Sequence, residues 1–216
     1  MSYKRILTKN KKMKATEVAH PDLRIRCISM PPIKTCPMAD KCKQSCYACH
    51  GRMGMQDFIR ACAENLQMVK DGSFWYKLEA ELAYEKRLSA KKGKQLYIRI
   101  HDSGDFFDRM YLMNWLNVME HHPDVKFYAY TKSVSLLKSE RLPENFTVIF
   151  SYGGKEDHLI EPTDRHAHVV QRWIPWDYTD GSEDEIHAMN PNVTKIGLVY
   201  HGPLVHSFST YSSKKD

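Results

Sequence analysis

The chain has 216 residues, 42% hydrophobic and 27% charged, the composition of a globular domain long enough to bury a core. No stretch reaches the roughly 20 apolar residues that span a bilayer, and the basic N-terminus MSYKRILTKNKKMK has no apolar run behind it, so neither a membrane anchor nor a secretory signal is expected. The net charge of +6 is uneven: residues 1–60 hold 13 Lys and Arg against 4 Asp and Glu, whereas residues 61–216 are net −3.

Residues 1–20 read as a loose basic arm whose Lys9, Lys11, Lys12 and Lys14 suit a polyanion, because cations set against phosphates release condensed counterions. "DLRIRCISM" alternates like a half-buried strand and stops at Pro31 and Pro32, after which the cysteine segment reads as a loop. Between Gln56 and Val69 the apolar Phe58, Cys62, Leu66 and Val69 recur at helical spacing, and Gly72 closes that helix. A second helix is expected from Phe74 to Leu88. "QLYIRI" then reads as a strand that ends in "HDSGDFFD", and Asp108 is placed to cap the helix "RMYLMNWLNVMEHH". "VKFYAY", "FTVIF" and "KIGLVY" read as further strands and "HAHVVQRW" as one more.

Strand, polar strand end, helix, strand is the order of parallel α/β folds. A complete eight-stranded barrel takes about 250 residues, so five or six strands imply an incomplete or compact TIM-barrel-like sheet, with an open doubly wound sheet as the alternative. A single domain over 1–216 is expected, made of the arm (1–20), a cysteine-rich metal-binding segment (21–54) and an α/β core (55–216). Chemistry in such folds gathers at the carboxyl ends of strands. Here those ends offer His101, Asp102 and Asp105, then Thr131 and Lys132, then Ser151 and Tyr152, then His201. Two carboxylates within "HDSGD" can divide nucleophile and general-base work if their surroundings separate their pKa values. His101, Asp102, Asp105 and Lys132 are the expected catalytic group.

The segment KTCPMADKCKQSCYACHG places Cys36, Cys42, Cys46 and Cys49 in one loop. In a reducing cytoplasm such close cysteines hold metal more often than they form disulfides. Zinc clips usually use two separated C-x2-C pairs, whereas thiolates crowded on one loop suit a 4Fe–4S cluster, so iron–sulfur stands ahead of zinc. Cys42-x3-Cys46-x2-Cys49 also has the C-x3-C-x2-C spacing of radical S-adenosylmethionine enzymes, with Ala48 where that family usually has an aromatic residue. Cys62 is expected to pack. Cys27 is an alternative to Cys49 as fourth ligand, and Arg52 joins the expected phosphate-binding residues.

"SMPP", "KTCPMADKCKQSCYA", "RIHDSGDFFD" and "FYAYTKS" together resemble the gene-product-88 family of phage proteins, from about Ile28 to Ser133. A phage origin implies action in the host cytoplasm. "HDSGDFF" is also similar to the "DSGGF" segment of tRNA-guanine transglycosylases, in which the residue matching Asp102 acts on guanine. That likeness implies an enzyme exchanging guanine for a 7-deazaguanine base in DNA: Asp105 or Asp102 attacks the sugar C1′, the other carboxylate assists the bases, and the target base leaves the stack. A radical S-adenosylmethionine-like iron–sulfur enzyme is the rival reading. The third is a non-catalytic nucleic-acid-binding protein with a structural metal. The sequence does not set the oligomeric state.

Overall fold

The computed structural model describes residues 5–171 and 173–200. Apolar alternation yields strands β1 (Leu23–Ser29), β2 (Gln95–Ser103), β3 (Lys126–Thr131), β4 (Phe146–Ser151) and β5 (His166–Val170). β6 (Thr179–Asp180) is too short to leave a period in the sequence, and β7 (Lys195–Val199) follows it. All pair in parallel, in the order β1-β2-β3-β4-β5-β7-β6. Nearly every crossover steps to the adjacent strand, and the sheet curls into a half-barrel. The incomplete barrel is therefore present, with seven strands instead of five or six.

The helices are α1 (Lys11–Ala19), α2 (Gln56–Asp71), α3 (Ser73–Lys91), α4 (Arg109–His121), α5 (Val134–Lys138) and α6 (Ile186–Met189). One face of the sheet is packed by α2 to α5. Phe74, Leu78 and Leu82 of α3 and Tyr111, Leu112 and Trp115 of α4 meet Ile98, Ile100 and Phe127 there. Gly72, in the left-handed region at φ 81°, ends α2 and leads directly into α3. Asp108 caps α4 as expected, its carboxylate accepting from the Tyr111 amide at 2.7 Å. The opposite face is covered at one end by α1 and α6, where Met13, Ala188 and Met189 pack on Ile25, Tyr128, Ile149 and Ile196. The rest of that face is open, and the cavity forms there.

The expectation of a loose N-terminal arm is corrected from residue 5 onward. Ile6 and Leu7 are 1% and 2% exposed, and their amides donate to the two oxygens of Glu81 at 2.9 and 2.8 Å. Asn10 caps α1, and Thr8 bridges to Cys27 of β1. The partner that holds this segment lies more than seventy residues away on α3, so no local period announces it.

Replacing Glu81 by Ala leaves two buried amides without their acceptor, at a cost of about 1–3 kcal/mol each. Urea denaturation is expected to show a loss of about 3 kcal/mol, with hydrogen exchange accelerated at Ile6 and Leu7. Unchanged exchange at those amides would show that the segment is held by other contacts.

Candidate functional site

The site is built by an irregularity at the end of β2. Cys27 of β1 pairs with Arg99, but Ser29 pairs with Ser103, so β2 carries two extra residues and His101 takes a φ of 65°. This bulge sends neighbouring side chains apart. His101 turns toward α4, its Nε2 3.0 Å from the Tyr111 hydroxyl and its ring edge-on to Phe106. Asp102 turns the other way: both its oxygens accept from Asn10 Nδ2 at 3.1 Å, and Arg99 lies 3.5 Å away. Gly104 then turns the chain at φ 86°. A Cβ there would lie 2.6 Å from both Met30 Cβ and Thr35 Oγ1, so only glycine fits.

Asp105 follows, and its carboxylate fastens the strand ends together. Oδ1 accepts from Thr131 Oγ1 at 2.6 Å and the Phe106 amide at 2.7 Å, and Oδ2 accepts from the Lys132 amide at 2.8 Å. Burial pushes this carboxyl up from its ordinary value, opposed by those hydrogen bonds and by the Lys132 charge. Lys132 reaches on to β4, its Nζ donating to Ser151 Oγ at 2.8 Å.

The cysteine segment lies across these strand ends and is held by backbone. The Asp105 amide donates to Thr35 O at 3.0 Å, the Asp40 and Cys42 amides both donate to Gly153 O at 3.2 Å, and the Lys155 amide donates to Met38 O. Asp157 fixes the receiving loop by accepting from the Gly153 and Gly154 amides at 2.8 Å. Between segment and sheet is a cavity of about 1220 Å³, lined by Cys36, Cys42, Cys46, Asp105, Lys132 and Ser151 and by the aromatic Tyr152, His168 and Tyr178.

The loop thiols are the groups expected to hold a metal. Burial pushes Cys36 up to about 12, reinforced by Asp105, Cys46 and Cys42; it pushes Cys46 up to about 11, reinforced by Cys49 and Cys42. Cys42 is raised by burial and relieved in part by Lys132. These thiols sense one another's charge, and a soft thiolate set is the donor chemistry that iron or zinc requires. Among the described residues, however, no three His, Cys, Asp or Glu side chains stand where they could hold one ion, so ligation requires the loop to gather. Cys49 is exposed and is absent from the cavity lining. Cys27 packs in the inner core beside Thr8, pushed by burial up to about 12, and does not belong to the loop's set. Cys62 is buried on α2, as expected.

The structure thus brings together Asp105, Lys132 and three of the four loop cysteines, while Asp102 is turned away from the cavity. His101 lines it but is also tied to Tyr111. Lys11, Lys14 and Arg52 are exposed. Lys9 pairs with Glu17 at 2.6 Å, and Lys12 points inward, 2.6 Å from Gly181 O and 3.5 Å from Glu185. His201 lies outside the described residues. The sequence reading missed Arg99, Tyr130, His168 and Tyr178, which line the cavity from the inner face. A signal existed for two of them: Arg99 and Tyr130 break the apolar pattern inside strands on the face that the helices do not cover.

Residues 3–202 match the family described as Gene product 88. The chain is 31% identical over 125 residues to the Gene 88 protein of Mycobacterium phage L5, covering 54% of this chain and 52% of that one. The chain therefore spans about half the length of the curated relative it matches. No solved structure matches. Among the described residues no helix is long and apolar enough to cross a membrane.

His101 is buried and pushed down to about 3 by burial and by Arg99. Its folded pKa lies below the unfolded value of about 6.5, so the unfolded chain binds the extra proton. The stability this gives is complete above about pH 6.5 and is lost as pH falls toward 3, by about 1.4 kcal/mol per pH unit. Asn tolerates the left-handed backbone that His101 occupies. Denaturation of His101→Asn across this range is expected to show a slope shallower than the wild type by close to one proton.

Proposed function

The chain belongs to the Gene product 88 family, and from that premise and the cavity together we propose that it is an iron–sulfur enzyme of the radical S-adenosylmethionine type. One observation carries this reading: Cys36, Cys42 and Cys46 face the same cavity as Asp105, Lys132 and Ser151.

Cys42, Cys46 and Cys49, in their C-x3-C-x2-C spacing, would hold a 4Fe–4S cluster, with Cys36 as the remaining thiol of the wall. When bound, such a cluster supplies single electrons to a sulfonium cofactor. The chain's own side chains account for the rest. Asp105 is an acceptor held rigid by three hydrogen bonds, suited to the ammonium of a methionine moiety. Lys132, braced by Ser151, offers a cation to that moiety's carboxylate. Because Asp105 and Lys132 are held at neighbouring strand ends, little ordering of these two groups remains to be done on binding. The cavity volume of about 1220 Å³ exceeds that of ordinary small-molecule sites, leaving room for a substrate beside the cofactor.

Exchange of guanine for a 7-deazaguanine base in DNA is the second reading. Asp105 favours it, as a carboxylate that borders the cavity and would serve as the nucleophile. The mechanism needs a second carboxylate about 5–5.5 Å away. Asp102, the residue expected to supply it, is occupied by Asn10 and Arg99. Exposed Lys11, Lys14 and Arg52 would still serve DNA phosphates.

Protein prepared anaerobically and reduced is expected to be brown, absorbing near about 400 nm, and to cleave S-adenosylmethionine to 5′-deoxyadenosine. Cys42→Ala should lose colour and cleavage together, the latter by about 100-fold or more. Asp105→Ala should keep the iron and lose cleavage. Colourless protein with zinc and no cleavage sinks the first reading. The second is tested by incubation with DNA and a 7-deazaguanine base, followed by digestion to nucleosides and mass spectrometry. Incorporation abolished in Asp105→Ala, with cofactor cleavage absent throughout, would reverse the order.

A further inference from the structure

Two buried polar atoms on the inner face of the half-barrel, Arg99 Nε and Tyr130 Oη, have no hydrogen-bond partner among the described residues, and neither has His101 Nδ1, on the ring turned toward α4. All three belong to residues that line the cavity, on the adjacent strands β2 and β3. Buried donors left unpaired are rare, and several on one cavity wall mark a place where a ligand or ordered water completes the bonding.

The electrostatics limit what that ligand can be. Arg99 Nη1 lies 2.9 Å from Glu185 and 3.5 Å from Asp102, and Glu185 also receives Lys12 at 3.5 Å. Two cations thus face two carboxylates, and the group is neutral overall. The nearby His101 is uncharged at neutral pH, being pushed down to about 3, and the Tyr130 phenol, raised by burial, keeps its proton. An anion gains no net charge from this wall. What the wall lacks is an acceptor for Arg99 Nε–H and Tyr130 Oη–H.

Further along the same face the cavity is aromatic. Tyr152 and His168 stack with centroids 3.9 Å apart and planes 19° apart, and Tyr178 meets His168 edge-on at 5.5 Å. His168 is pushed down to about 4 by burial and by His166, so this platform is uncharged too. Stacking surface beside unmet donors suits a flat, neutral ring that carries a carbonyl.

We propose that this part of the cavity is the substrate subsite, and that it takes a neutral lactam-bearing heterocycle, an oxo-nucleobase or close analogue, with the ring against Tyr152, His168 and Tyr178 and the carbonyl oxygen on Arg99 and Tyr130. The inference rests on the reading of the cavity as an enzyme site, and it supplies the substrate class which that reading leaves open.

Inosine and purine riboside differ by the lactam, the 6-carbonyl and its adjoining N1–H, which makes them the test pair in equilibrium dialysis against the full chain. Inosine is expected to bind at least about tenfold more tightly, the weight of a hydrogen bond into a site built for it. Tyr130→Phe removes only the unpartnered hydroxyl. It should weaken inosine about tenfold, leave purine riboside unchanged, and leave the Tm of the ligand-free protein unchanged or raised. Equal affinity for the two nucleosides, no binding of inosine up to millimolar concentration, or discrimination that survives in Tyr130→Phe would each overturn the proposal. A lowered Tm in the ligand-free variant would overturn it as well, by giving the hydroxyl to the fold. The assay needs neither metal nor S-adenosylmethionine, so failed cofactor cleavage leaves this inference standing, and failed nucleoside binding leaves the iron–sulfur reading standing.

Discussion

The Asp105 carboxylate ties together the stretches of chain that enclose the cavity. Its oxygens take the Phe106 amide after β2 and the Thr131 hydroxyl and Lys132 amide at the end of β3, while its own amide holds Thr35 at the start of the cysteine loop. Burying a carboxylate is unfavourable, and these bonds, with Lys132 nearby, are what make it tolerable here. Gly104 is the steric counterpart of this arrangement, since any side chain there would push the loop off the strand end. Three hydrogen bonds from two strand ends hold the carboxylate in one orientation.

The two ends of the half-barrel use charge differently. Near the N-terminal segment, Glu81 and Glu85 of α3 are compensated completely: Glu81 caps two backbone amides, and Glu85 receives Arg5, Arg24 and Arg26. At the carboxyl ends of the strands compensation is deliberately incomplete in direction, though not in net charge. Arg99 is balanced by Glu185 and Asp102 yet keeps one donor unmet, and the loop thiols are raised by burial and by one another. The first pattern holds the N-terminal segment to the fold, and the second leaves polar atoms without partners among the described residues. The distinction also explains why Asp102, although it sits in the same short motif as Asp105, belongs with the structural charges.

An incomplete barrel suits this division. Seven parallel strands leave one side of the inner face without strand neighbours, and α1 and α6 fill only one end of it. The cysteine loop after β1 and the aromatic segment around Tyr178 cover the other end, so the cavity is walled largely by loops set on the sheet.

The sequence by itself determined the parallel α/β architecture, the places of α2, α3, α4 and the six longer strands, the Asp108 cap, and the strand ends as the location of the polar residues. Those features depend on neighbours within one or two helical turns or on strand alternation, and a linear pattern carries them. Only the tertiary structure decided that Asp105 and not Asp102 faces the cavity, because a two-residue bulge reverses the direction of adjacent side chains and has no signature in composition. It alone also docked the N-terminal segment, since Ile6 and Leu7 are held by a glutamate on α3, and turned Lys12 inward onto Glu185. Contacts between residues far apart in the chain set the pKa values and the unmet donors on which the site's chemistry rests, and no window along the sequence contains both partners of such a contact.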